Sequence, residues 1–108
     1  MSGTDTSTAH MEDLGAGAFA IRGDLTFETI AAVLAASQSL FAAHQHIEID
    51  MSEVAQADSA AVALLLEWLS WARGFDRQIQ YQNIPQQILA IAQISGIAEL
   101  LGGGRPSS

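Results

Sequence analysis

The chain has 108 residues, of which 49% are hydrophobic and 15% charged; this is enough for one core and too short for two. Its formal net charge is −8 at pH 7, and all four basic residues are arginines. Without lysine or cysteine there is no phosphate-loop lysine, Schiff-base amine, thiolate nucleophile, cysteine-ligated zinc or redox pair, and so few arginines on a net anion make nucleic acid and anionic lipid poor partners.

Met1–Asp13 is rich in Ser and Thr and has neither a basic n-region nor an apolar h-region, so no secretory signal is read there and the chain is expected in the cytosol. His10-Met11 is a pair that a cloning site leaves, so residues 1–10 are set aside as a tail and the domain is drawn over 11–101. Met11–Ala18 is expected to add an edge to a sheet. In Ala18–Arg22, Phe19 and Ile21 face one way, which predicts a strand with one wet face. Phe27, Ile30, Val33, Leu34, Leu40 and Phe41 recur at helical spacing, with Thr26 as the expected N-cap.

His46–Met51 alternates again, with Ile47, Ile49 and Met51 on one side. A second helix follows, capped by Asp58 or Ser59, running to about Arg73 and ending at Gly74. Gln78–Ile84 is the last strand, with Ile79 and Tyr81 inward and Gln78, Gln80 and Gln82 outward. Pro85 then opens a third helix, which Ser95-Gly96 interrupts before a last turn over Ile97–Leu101. The tail from Gly102 to Ser108 carries no apolar side chain and is expected to fray. No apolar run approaches the ~18 residues that a membrane span requires. Strand and helix periods alternate along the chain, so the expected class is α/β: a largely parallel four-stranded sheet, its wet strand faces requiring helices mainly on one side.

The second helix has two apolar stripes. Val62, Leu65, Leu66, Leu69 and Ala72 form the expected core face. Ala60, Ala61, Leu64, Trp68 and Trp71 lie nearly opposite and must meet either a neighbouring helix or another protein. At the start of this helix, Ser59 faces unpaired backbone N–H groups and the positive end of the helix dipole, which suits a phospho-acceptor and equally suits a plain cap.

Ile49-Asp50-Met51-Ser52-Glu53-Val54, followed by Asp58-Ser59-Ala60-Ala61-Val62-Ala63-Leu64-Leu65-Leu66, resembles the signature of the STAS domain family of bacterial anti-sigma-factor antagonists and their relatives. Gly23-Asp24-Leu25-Thr26 and Asn83-Ile84-Pro85 share the resemblance, which spans about Phe19 to Leu101. Ala63 to Leu69 with Trp71-Ala72-Arg73 is most similar to the family's MlaB branch, the STAS subunits of a phospholipid-transport ABC system that keeps the outer membrane of Gram-negative bacteria asymmetric. The resemblance implies a non-enzymatic accessory subunit, peripheral to the inner membrane, that binds the transporter's ATPase and needs no cofactor. The implied interface comprises Thr26, Asp58, Ser59, Ala61, Leu64, Trp68 and Trp71. The other reading it implies is a phosphorylation-regulated antagonist that binds an anti-sigma factor, with Ser59 as phospho-acceptor. Ala61 replaces the family's frequent glycine and Thr26 its frequent acidic residue, and both changes weaken the switch reading.

Other chemistry is less well supported. His46, Glu48 and Asp50 share a strand face near His44, but alternate side chains on a strand stand roughly 6.6 Å apart, so a solvated face is expected rather than a metal site. Asp24, Asp50 and Asp58 are placed near one sheet edge, yet no nucleophile, base and orienting group can be assigned together.

Overall fold

A computed structural model of the chain describes residues 8–97 and Leu101. The elements run β1 (Ala9–Gly15), β2 (Ala18–Leu25), α1 (Ile30–Phe41), β3 (His46–Ala57), α2 (Ser59–Gly74), β4 (Gln78–Gln82) and α3 (Gln86–Ile94). The four strands form one sheet in the order β1-β2-β3-β4, with β1 antiparallel to β2 and the remaining pairs parallel. The α/β class and the largely parallel sheet are as the sequence predicts. The hairpin between β1 and β2 turns on Ala16 and Gly17, both at positive φ, the twist that suits a two-residue connection. Gly17 cannot be replaced at this turn, because a Cβ there would run into the His46 carbonyl.

One sheet face is apolar. Phe19, Ile21, Ile47, Ile49 and Met51 are buried, and Ile79 and Tyr81 pack against them. On the opposite face His46, Glu48, Gln78, Gln80 and Gln82 are exposed, as the alternation predicts. Beyond Met51 the alternation breaks and the strand does not. Between Ala20 and Arg22 the register on β3 advances from Asp50 to Glu53, a bulge that moves the next inward position to Val54, and a second shift between Gly23 and Asp24 moves the one after it to Ala57. For this reason β3 runs six residues past its expected end at Met51.

The ends of the elements differ from expectation in instructive ways. Ala9 and His10 belong to β1, and Ala9 packs on the core, so these two residues of the expected tail over 1–10 are part of the sheet; residues 1–7 and 102–108 lie outside the described residues. Helix α1 starts at Ile30, not after Thr26. The Thr29 hydroxyl accepts from the Thr26 N–H at 3.0 Å and donates to the Asp24 carbonyl at 2.7 Å, and this closed turn delays the helix. Phe27 therefore stands outside the helix and is 83% exposed instead of joining the core. Helix α2 includes Gly74, and its left-handed terminal residue is Asp76. Pro85 caps α3 from outside instead of opening it. Leu101 is buried in the core beside half-buried Ile97; residues 98–100 of the expected last turn lie outside the described residues.

Where α1 meets α2, the helices join through aromatic packing and one buried hydrogen bond. Trp68 packs edge-on to Phe41 with ring centroids 5.3 Å apart, and its indole N–H donates to the Ser37 hydroxyl at 2.8 Å. Ser37 in turn donates to the Leu34 carbonyl, so a polar side chain fills the middle of the buried row Val33, Ser37 and Phe41. The C-terminus of α1 is closed from far along the chain. One Arg77 nitrogen, Nη1, donates to the carbonyls of Phe41, Ala42 and His44 at 3.0, 2.8 and 2.6 Å, while the guanidinium carbon lies 5.4 Å from the Trp71 ring centroid.

Candidate functional site at the start of the second helix

The loops that follow β2 and β3 meet where α2 begins. Asp58 joins them. Its backbone N–H donates to the Leu25 carbonyl at 3.2 Å, and its carboxylate caps α2 by accepting from the Ala60 N–H at 2.9 Å. The second carboxylate oxygen accepts from the Phe27 N–H at 3.2 Å. One aspartate thus fixes both the first turn of the helix and the loop that carries an exposed phenylalanine. Gln87 of α3 reaches the same end of the sheet, accepting from the Ala57 N–H at 3.0 Å.

Asp58 is the cap and Ser59 is the first helical residue, with an exposed side chain. Phe27, Glu28 and Ser59 are exposed around half-buried Thr26 and Asp58. The Thr26 hydroxyl is buried without a hydrogen-bond partner among the described residues, and Thr29 holds the N-cap position expected of Thr26 without a side-chain cap bond of its own. Asp24, Glu28 and Asp58 make these two loops acidic, and neither contains an arginine.

The expected second stripe of α2 divides. Ala61, Leu64 and Trp68 are 0, 2 and 1% exposed, so they contribute to the interior and not to a surface. Trp71 is half-buried, its ring 5.8 Å from that of Phe41 and 5.6 Å from that of Phe75. The tryptophans meet a neighbouring helix, the first of the two alternatives that the sequence leaves open. The other expected core face is looser than predicted, since Leu66 and Leu69 are only half-buried. Leu64 and Trp68 turn toward the interior because α1 crosses α2 on that side, a placement that one helix's periodicity cannot reveal. Phe27 is a surface residue that sequence reasoning missed, one of four exposed large hydrophobics among the described residues with Leu14, Phe75 and Ile94: its spacing ahead of Ile30 fits a helix that the Thr29 turn prevents.

Elsewhere, the helix-free sheet face carries a small charged cluster. The Arg22 guanidinium contacts Glu12 at 2.8 Å and Glu53 at 3.8 Å; the Glu12 hydrogen bond holds its pKa above the ordinary value. Asp50 accepts from the Asn83 amide at 2.9 Å and from the Ser52 N–H at 3.0 Å, and these bonds, Asn83 first, hold its pKa below the usual carboxylate value. Among the described residues no three His, Asp or Glu side chains come together as a metal site would require. Nor is any described helix long and apolar enough to cross a membrane.

A mixed sheet of this order, with the starts of α1 and α2 gathered at one end, has the architecture of a STAS domain. The family model described as "Mlab, STAS domain" matches residues 10–102, and the chain belongs to that family. No curated protein matches the chain.

Proposed function

We propose that this chain is a non-catalytic subunit that binds the ATPase of a phospholipid-transport ABC complex. It would act in the cytoplasm, peripheral to the inner membrane, in a system that maintains outer-membrane lipid asymmetry. The observation that supports this reading is the exposed Phe27, held by Asp58 beside exposed Ser59, in a chain of the Mlab STAS family. A large aromatic ring on a loop pinned from below serves as an anchor for a protein partner, and the acidic rim around it favours a basic surface on that partner.

Binding to the transporter ATPase encoded in the same genome tests the proposal. Phe27→Ala should leave the melting temperature unchanged, because the ring is exposed, and should weaken the complex by about 2 kcal/mol if it fills a pocket. Ser59→Ala should be mild, since Asp58 and not Ser59 caps the helix. Ser59→Asp adds charge beside Asp58 in a desolvated contact and should weaken binding further. Equal binding by all four proteins would refute the proposal.

A phospho-switch acting on an anti-sigma factor is the second reading, favoured by the exposure of Ser59 at the first turn of α2. A phosphate there would face the helix N-terminus. Intact mass after growth in the native host separates the two. Stoichiometric phosphoserine with no measurable binding to the ATPase would promote this reading over the first.

A further inference from the structure

Strand β4 ends the sheet: β3 pairs with one side of it, and among the described residues no strand pairs with the other. Natural edges are ordinarily guarded by charge, proline or a bulge. Gln78-Ile79-Gln80-Tyr81-Gln82 has no such guard, and Gln78 through Ala98 carries no charged residue although the chain has a net charge of −8. The segment is also symmetric in polarity about Gln80. In an antiparallel pairing of two copies around that residue, Gln78 lies opposite Gln82, Ile79 opposite Tyr81, and Gln80 opposite itself. Both faces then match, because the glutamines of each copy are on the helix-free face while Ile79 and Tyr81 are on the helix side.

The helix side of this edge is also open. A groove of about 640 Å³ runs between α2 and β4, with half-buried Leu66, Leu69 and Ile79 lining it beside the charged Arg73, Asp76 and Arg77, and with no residue of β3 or α3. We propose that the chain self-associates by antiparallel pairing of two β4 edges about a twofold axis at Gln80, which joins the two sheets and covers the groove with the second copy. The twofold makes the contact isologous, so it closes at two chains and does not propagate. A contact centred on one short strand is smaller than a standard stable interface, so the dimer is weak and builds with concentration. The edge lies along the side of the sheet, away from Phe27 and Ser59, so this association is independent of the ATPase proposal.

Sedimentation velocity on the full chain, from low micromolar to submillimolar concentration, should show the mass rising from one chain toward two. Gln80→Lys sets two like charges directly opposite and should weaken the association about fivefold or more, with circular dichroism confirming an unchanged fold. Because the chain has no cysteine, single cysteines report the register. Under mild oxidation Gln80→Cys should cross-link with itself, whereas Gln78→Cys and Gln82→Cys should cross-link with each other and not with themselves. A single-chain mass throughout, a Gln80→Lys variant that dimerises like wild type, or self-linked Gln78→Cys would each overturn the proposal. So would a monomeric chain whose Gln80→Lys variant loses the transporter ATPase, which would assign the edge to that subunit.

Discussion

Replacing Ser37 by alanine isolates the buried hydrogen bond between α1 and α2. Ser37 and Trp68 are each 1% exposed, so removing the hydroxyl leaves the indole N–H buried without its protein partner, and only water entering the pocket of about 40 Å³ that Ser37 and Trp68 line can replace it. Such a group costs about 1–3 kcal/mol. The hydroxyl's own bond to the Leu34 carbonyl is lost as well, but that carbonyl lies within a helix and the loss adds little. In a domain of this size about 2 kcal/mol corresponds to a fall in melting temperature of roughly 8–16 °C. Urea unfolding followed by far-ultraviolet circular dichroism gives the free energy without relying on tryptophan fluorescence. Trp68→Phe completes a double-mutant cycle: Ser37→Ala should be less destabilising in that background, because no indole N–H remains to be orphaned. A Ser37→Ala protein within about 0.5 kcal/mol of wild type, the range of an ordinary surface change, would refute the claim that this bond holds the helices together.

Arg77→Met leaves three carbonyls at and just after the end of α1 without their charged donor and should cost about 2 kcal/mol by chemical denaturation, with Arg77→Lys restoring only part because its shorter stem lacks the planar group that lies against the Trp71 ring. Asn83→Ala should raise the Asp50 pKa toward its ordinary value, read by NMR titration. Since the folded state depresses this pKa, the wild-type contribution is full above the unfolded value and is lost as the pH falls below about 4; Asn83→Ala should therefore show a shallower acid loss. Tyr81 is the only tyrosine; burial raises its pKa, and its hydroxyl donates to the Leu65 carbonyl at 2.6 Å. The unfolded chain ionises this group near pH 10, so stability should hold below that pH and fall above it, with Tyr81→Phe removing the slope and the tyrosinate absorbance reporting the group directly.

The strands were legible because one wet face leaves a two-residue rhythm that no helix produces. That rhythm carries Ile47, Ile49 and Met51 and then stops, since the bulge opposite Ala20 and Arg22 changes which side of β3 faces inward, and no single-residue signal announces a bulge. Helix α1 was legible as a helix but not at its start. Phe27 counts as apolar and Ser37 as polar in any periodicity, yet the structure exposes the first and buries the second. The Thr29 turn and the Trp68 indole decide those two placements, and both act between residues that a one-helix pattern treats separately. Asp58 and Ser59 were legible as a helix start because caps have a strong residue preference. The link from Asp58 back to Phe27 was not legible, because it spans two loops far apart in the chain.

That link couples two events that would otherwise be separate. A single carboxylate holds the first turn of α2 with one oxygen and the Phe27 loop with the other. Linkage is reciprocal: a molecule that grips Phe27 and thereby steadies the loop also steadies the carboxylate, and the amide protons at the head of α2 should then exchange more slowly with solvent. In the other direction, fraying of that first turn releases the aromatic ring from its mount, so the affinity of this surface for any partner is set partly by how often one turn of helix opens.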